Sequence, residues 1–153
     1  MQNFIGTKII SAKPMTLLDA KELLNRDIGY YGLETDDGYL VEYPDGYQSW
    51  SPGYAFEPAY RLCTGMSFGL AVEALKLGKK VCRAGWNGNG MWLVYVDGDV
   101  YEVARDVLIS IEAPDRKNSN FLPWIGMKTA DNKFVPWVAS QTDVLADDWM
   151  LVE

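Results

Sequence analysis

The sequence predicts an α+β protein, in which a small α+β N-terminal module (residues 1–62) precedes a C-terminal domain (residues 66–153) with a bent antiparallel sheet and one packed N-terminal helix. Three observations predict this class. In the second half, one apolar stripe recurs at helical spacing, at Phe68, Ala71, Val72 and Leu75. Strand-like segments follow it and are joined by turn sequences such as Ala130-Asp131-Asn132. Near the N-terminus, Pro44-Asp45-Gly46 between two Tyr-containing segments is typical of a β-hairpin.

The N-terminal module is expected to run strand, helix, hairpin, helix. Thr16 caps the first helix, and Asp19 lies in its first turn at the positive end of the helix dipole. Ser51 followed by Pro52 predicts a second helix start. The predicted elements are a strand over 7–12, a helix opened by Pro14-Met15-Thr16, hairpin strands over 39–43 and 47–50, and a short helix from Ser51 through Tyr60.

The C-terminal domain is expected to begin with a helix and continue as strands. Ser67 marks the helix start and Gly78 is its expected C-cap, with lysines clustered at the negative end of the dipole. Ser140 caps a single helical turn that runs through Leu145. The predicted strands cover residues 81–84, 91–96, 100–103, 108–111, 122–127, 133–138 and 149–152.

The composition limits the class of partner. The net charge of -7 argues against a nucleic-acid polymer, because binding a phosphate backbone needs a basic surface. A small anionic ligand remains compatible, since a few cations or backbone N–H groups can hold two phosphates. No apolar run approaches the ~20 residues that a transmembrane helix needs, and no signal peptide is recognisable, so we expect a cytoplasmic protein without membrane association.

The absence of histidine limits the chemistry. Without it the chain lacks the commonest general base and every Ser–His or Cys–His nucleophile pair. Cys63 and Cys82 are expected to be free thiols. The acidic residues Asp143, Asp147 and Asp148 are the remaining candidates for catalysis, but clusters of this kind are usually solvated surface. We therefore predict no enzymatic activity, no metal and no cofactor.

Four tryptophans, Trp86, Trp92, Trp124 and Trp137, lie beside glycines and small polar residues, a combination that suits a flat, phosphate-bearing small molecule. Trp86 lies in a Gly-Trp-Asn-Gly turn, where it either stacks on adenine or folds back onto the core. Asn87 either binds a base or ribose edge or only adopts turn geometry. Counted from the Asp131-Asn132 turn, Trp124 and Trp137 are nearly opposite, so an aromatic pair that stabilises the sheet competes with a ligand-binding role.

Arg83 and Lys80 are the candidates to neutralise a pyrophosphate, and arginine is preferred because its planar fork binds phosphate in a bidentate manner. Strand alternation places the two residues on opposite faces of one strand, so they are not expected to converge within one protomer. For Lys80 a solvated charge at a strand end is the favoured interpretation.

Two helix starts contribute further candidates. Phe68, one residue after the cap, either packs as a core residue or flanks a pocket at the helix N-terminus. A capping box explains Ser140 and Asp143 without a ligand. Gln141 and Thr142 are not used by that cap, so we expect them to contact ribose hydroxyls or a base.

A set of specific motifs occurs in order between Met66 and Glu153. They are Phe68-Gly69-Leu70-Ala71, Gly78-Lys79-Lys80-Val81, Arg83-Ala84-Gly85-Trp86-Asn87-Gly88, Met91-Trp92-Leu93, the run from Pro123 to Asp131 and the run from Phe134 to Trp149. In order and spacing they resemble the Thoeris anti-defence two family of phage proteins, which sequester immune signalling nucleotides. Residues 1–62 lie outside this resemblance and are similar to a small module appended to other phage proteins.

The resemblance implies a non-enzymatic protein of the infected bacterial cell that binds cyclic ADP-ribose isomers with a glycosidic linkage between the riboses. For some members it implies cyclic di- or trinucleotides as well, held in separate pockets of a homotetramer. We accordingly expect a homo-oligomer, a tetramer, with pockets at its interfaces. The predicted ligand-binding residues are Phe68, Arg83, Trp86, Asn87, Trp124, Met127, Trp137, Gln141, Thr142 and Asp143.

A rival interpretation is an acidic protein-binding inhibitor or DNA mimic that acts on a host protein, which the charge of -7 would favour. Such a protein needs a continuous acidic surface. Basic residues interrupt the acidic ones here, at Lys76, Lys79, Lys80 and Arg83.

Overall fold

The computed structural model describes residues 1–3, 6–86, 90–98 and 122–152, and it divides the chain into two compact units, Met1–Leu62 and Cys63–Glu153. Each unit combines helices with one antiparallel sheet, so the predicted α+β class is confirmed. None of the helices in these described ranges has the length and apolarity that crossing a bilayer requires.

The N-terminal unit is a three-stranded antiparallel sheet with two helices. Its strands lie in the order β1-β2-β3. The buried core contains Leu17, Ala20 and Trp50, and the Trp50 indole donates to the Met15 carbonyl over 2.8 Å. The elements are β1 (Ser11–Thr16), α1 (Leu17–Leu24), β2 (Asp37–Glu42), β3 (Gln48–Pro52) and α2 (Gly53–Ala59).

The predicted hairpin and first helix of this unit are confirmed, whereas two of the predicted element boundaries are wrong. The first strand covers Ser11–Thr16 instead of 7–12, and it includes Pro14, which a sheet tolerates because β1 is an edge strand. Ser51 is not an N-cap, because it pairs with Tyr39 in the β2–β3 ladder and Pro52 takes the cap position. Thr16 does cap α1, since its hydroxyl accepts from the Asp19 N–H over 3.2 Å.

In its described residues, the C-terminal unit contains a five-stranded antiparallel sheet in the order β7-β6-β5-β4-β8. Two predicted strands, over 100–103 and 108–111, lie outside the described residues. The elements are α3 (Phe68–Lys76), β4 (Lys80–Arg83), β5 (Trp92–Val96), β6 (Trp124–Lys128), β7 (Phe134–Pro136), α4 (Gln141–Val144) and β8 (Trp149–Val152).

Helix α3 supplies the core of this unit. Its buried side chains, among them Ala71 and Leu75, pack with Val81, Leu93 and Trp149 of the sheet. The predicted C-cap is wrong by one residue, because Leu77 is the cap. Gly78 follows it with φ 76°, the left-handed conformation that glycine adopts without strain, and its N–H donates to the Leu75 carbonyl. The helix therefore ends at the predicted place in the sequence, but Leu77 and not Gly78 is its C-cap.

Candidate functional site

Four aromatic side chains meet on the face of the sheet that carries α3. The Trp149 ring lies 5.5 Å from Phe68, 5.5 Å from Trp86 and 6.0 Å from Trp137, measured between ring centroids. Trp149 is fully buried, whereas the other three are half-buried. We call these four residues the aromatic cluster. Trp149 is its buried centre, and the three partners of Trp149 each expose part of their surface.

The geometry of the cluster limits how a flat ligand could bind. The Trp86 and Trp137 rings lie 6.2 Å apart and are inclined by 62°. Two rings at this angle cannot both lie parallel to one base. A nucleobase would therefore stack on one indole and meet the other at its edge.

Different elements bring the cluster together. Phe68 is the first residue of α3, and Trp149 pairs with Arg83 across the β4–β8 ladder. Trp86 follows the end of β4 and donates its N–H to the Arg83 carbonyl over 3.3 Å. Trp137 follows β7 and donates its N–H to the Ile125 carbonyl over 2.9 Å. The pairing of strands that are distant in the sequence, together with the start of α3, thus brings the four rings together.

Helix α4 borders the cluster and is fixed by a capping box. The Ser140 hydroxyl accepts from the Asp143 N–H over 3.2 Å, and the Asp143 carboxylate accepts from the Ser140 N–H over 3.0 Å. The Trp149 indole donates to the Asp143 carbonyl over 3.0 Å. The predicted capping box is confirmed, and the bond from the Trp149 indole connects α4 to the buried centre of the aromatic cluster.

Arg83, the predicted phosphate ligand, is bound by two carboxylates. Its Nε lies 2.7 Å from Asp148 Oδ1 and its Nη1 lies 2.8 Å from Asp143 Oδ1. The bond from Arg83 holds the pKa of Asp148 below its usual value, and the two carboxylates raise the pKa of the guanidinium. For Asp143, burial raises the pKa, but hydrogen bonds from Ser140 and Arg83 outweigh it and the net shift is downward. Both carboxylates are thus held in their charged form.

The alternative of a cross-strand pair between Trp124 and Trp137 is wrong. In the β6–β7 ladder Met127 pairs with Val135, so Trp137 lies across from Ile125. Because side chains alternate between faces, Trp124 lies on the face opposite to the aromatic cluster. There its ring is 5.7 Å from that of Phe134.

The other predicted residues have different surroundings. Met127 packs half-buried against the core, and Gln141 is exposed at the start of α4. The Thr142 hydroxyl is 2.8 Å from that of Ser140, so the cap uses part of its hydrogen-bonding capacity. Lys80 does not converge with Arg83, because its Nζ lies over the Trp92 ring at 4.5 Å. Asn87 lies outside the described residues.

Two residues of this region are not among the predicted site residues. The sequence predicts a closing strand for Trp149 and favours a solvated acidic face for Asp148. Asp148 in fact pairs with Arg83 and accepts from the Gly85 N–H over 3.1 Å. The one sequence signal that could have indicated this role is the position of Asp148 directly before the last tryptophan.

The N-terminal unit contains a separate open cavity of about 330 Å³. Its lining includes the carboxylates of Asp19, Asp37 and Glu57 and no lysine or arginine. The Tyr39 hydroxyl donates to Glu57 over 3.3 Å, and burial followed by the Glu57 charge raises the pKa of Tyr39. An anionic ligand would be repelled here, so this cavity does not match the predicted nucleotide site.

Comparison with known proteins places the aromatic cluster inside a recognised domain. The family model described as Tad2-like, the Thoeris anti-defense 2-like domain, matches residues 66–152. A protein named Thoeris anti-defense 2 from Bacillus phage SP01 is 46% identical over 93 residues, which cover 58% of this chain and 97% of that protein. The relative is therefore about as long as the aligned region. Because the matched region spans more than half of the chain, the protein belongs to the Thoeris anti-defense 2-like family.

Proposed function

We propose that this protein binds a cyclic nucleotide-derived immune messenger and sequesters it without cleavage, so that the Thoeris effector is not activated. Membership of the family supports a phage anti-defence role. The observation that carries the binding proposal is the aromatic cluster, which brings the predicted residues Phe68, Trp86 and Trp137 to one half-buried surface. The proposed ligands are glycocyclic ADP-ribose isomers, with cyclic di- or trinucleotides as further members of the class.

The adenine would stack on Trp86 or Trp137 and contact the other indole at its edge, as their inclination of 62° requires. The start of α4 lies beside this surface and offers polar groups for the riboses. Gln141 is suited to this role because its side chain is exposed and makes no hydrogen bond within the described ranges of the chain.

Sequestration requires tight binding without chemistry. To lower a messenger's free concentration the protein must be abundant and bind at about nanomolar strength, which corresponds to about -12 kcal/mol. Stacking and charge-assisted contacts reach this value only in a preformed site. The absence of histidine from the chain supports retention over hydrolysis, since it removes the most usual general base.

A homo-oligomer would complete the site. Among the residues that the structure describes, Phe68, Trp86 and Trp137 each keep part of their surface exposed. A ligand as large as cyclic ADP-ribose needs most of its surface covered for tight binding. A second copy of the chain would supply that cover, and we propose a tetramer with closed symmetry.

The test is recovery of an intact ligand. The purified protein is incubated with glycocyclic ADP-ribose isomers and with cyclic di- and trinucleotides, filtered and heat-denatured, and the released compounds are identified by mass spectrometry. We expect intact ligand after denaturation and none in the wash. A linear product would identify an enzyme, and no retention of any compound would contradict the proposal and favour the acidic protein-binding inhibitor.

A further inference from the structure

Arg83 links two segments that are distant in the sequence. Its guanidinium bonds to Asp143 and Asp148, which are 60 and 65 residues further along the chain. The bonds of 2.8 and 2.7 Å have the length of charge-assisted hydrogen bonds, which are about twice as strong as neutral ones. The Arg83 side chain is 20% exposed and that of Asp143 is 14% exposed, so water screens this pair only partly.

Each carboxylate in turn holds a part of the proposed binding surface. The second oxygen of Asp148 accepts from the N–H of Gly85, the residue before Trp86. The second oxygen of Asp143 accepts from the backbone N–H and the hydroxyl of Ser140, over 3.0 and 2.6 Å. One guanidinium therefore connects the loop that carries Trp86 with the start of α4.

The charge balance at this point does not favour an anion. One guanidinium faces two carboxylates, so the group carries a net negative charge. A phosphate that approached Arg83 would meet two carboxylates already bound to Nε and Nη1 and would be repelled by both. We propose that Arg83 is a positioning residue, which holds Trp86 and α4 in place around Trp149 through Asp148 and Asp143 and does not contact the ligand.

This inference rests on the proposed function and predicts a distinctive response to Asp148→Asn. If Arg83 acts through its carboxylates, Asp148→Asn weakens ligand binding as Arg83→Gln does, by about tenfold or more, as loss of orienting partners does in metal sites. The double variant is then no worse than the poorer single variant, because both act on one connection. If Arg83 instead contacts a phosphate, Asp148→Asn frees the guanidinium and tightens binding.

The measurement is calorimetric titration with a glycocyclic ADP-ribose isomer, well below the melting temperature of every variant. A loss of global stability does not change the affinity there, because the binding-competent fraction stays near one. Arg83→Lys is a further variant, since lysine keeps the charge that a phosphate would need but cannot bridge two carboxylates with a planar fork. We expect it to bind nearly as weakly as Arg83→Gln.

Glu73→Gln is the matched control, because it removes an exposed ion pair with Lys76 on α3, and it should bind like the wild type. Tighter binding by Asp148→Asn, or full affinity of Arg83→Gln, would overturn the positioning role while leaving the proposed function intact. If Arg83→Gln does not fold, the isosteric Asp148→Asn still shows whether the change weakens or tightens ligand binding. Failure of the wild-type protein to bind any isomer would instead refute the proposed function, and this role of Arg83 with it.

Discussion

Replacing Trp86 tests whether the aromatic cluster is the binding surface. Trp86 and Trp137 are inclined by 62°, so the adenine can stack fully on one of them. One base–aromatic stack contributes about 1–3 kcal/mol, and its loss therefore weakens binding about 5- to 150-fold. Trp86→Leu keeps an apolar side chain against Trp149 but removes the aromatic face, whereas Trp86→Phe keeps a smaller aromatic face.

We expect Trp86→Leu to lose affinity within that range and Trp86→Phe to lose clearly less, measured by calorimetric titration with a glycocyclic ADP-ribose isomer. Near-ultraviolet circular dichroism would show whether the packing around Trp149 is retained in both variants. Wild-type affinity of a folded Trp86→Leu variant would refute the reasoning. Trp124→Phe provides a comparison on the opposite face of the sheet, and an equal loss there would show that the pocket is not built on the α3 side.

Three further predictions concern stability. Because the bond from Arg83 lowers the pKa of Asp148 below its ordinary value of 3.8, the charged carboxylate stabilises the fold above that value and the contribution is lost as the pH falls through the lowered pKa. The difference in melting temperature between wild type and Asp148→Asn should thus shrink as the pH falls below about 4. A difference that stays constant with pH would show that the charge of Asp148 does not stabilise the fold. Ser140→Ala removes the capping box and should lower the free energy of unfolding by about 1 kcal/mol in urea titrations. An unchanged free energy of unfolding would show that the capping box does not stabilise the fold. Gly78→Ala places a Cβ at φ 76° and should cost about 1 kcal/mol in the same assay, whereas an unchanged midpoint would show that the helix end rearranges.

Features that depend on a few neighbouring residues can be predicted without the structure. The cap at Thr16, the capping box of Ser140 and the end of α3 near Gly78 were predicted because their hydrogen bonds join groups within about five residues. Membership of the family was also readable from the motifs alone, and the match over residues 66–152 confirms it. Where local signals overlapped, as at Ser51-Pro52, the prediction missed the boundary, because pairing in the β2–β3 ladder took precedence.

Which residues share a surface depends on pairing between strands that are distant in the sequence. Trp124 and Trp137 are separated by strand register, and a shift of one residue moves a side chain to the other face of a sheet. The partners of Arg83 lie 60 and 65 residues away, so no local pattern could distinguish a phosphate ligand from a residue bound by two carboxylates. Trp149 becomes the buried centre of the aromatic cluster because β8 pairs with β4 and not with β7, the strand that precedes it in the sequence. Most of the candidate residues can thus be named from the sequence, and long-range pairing places them in the aromatic cluster, in its support or on the opposite face of the sheet.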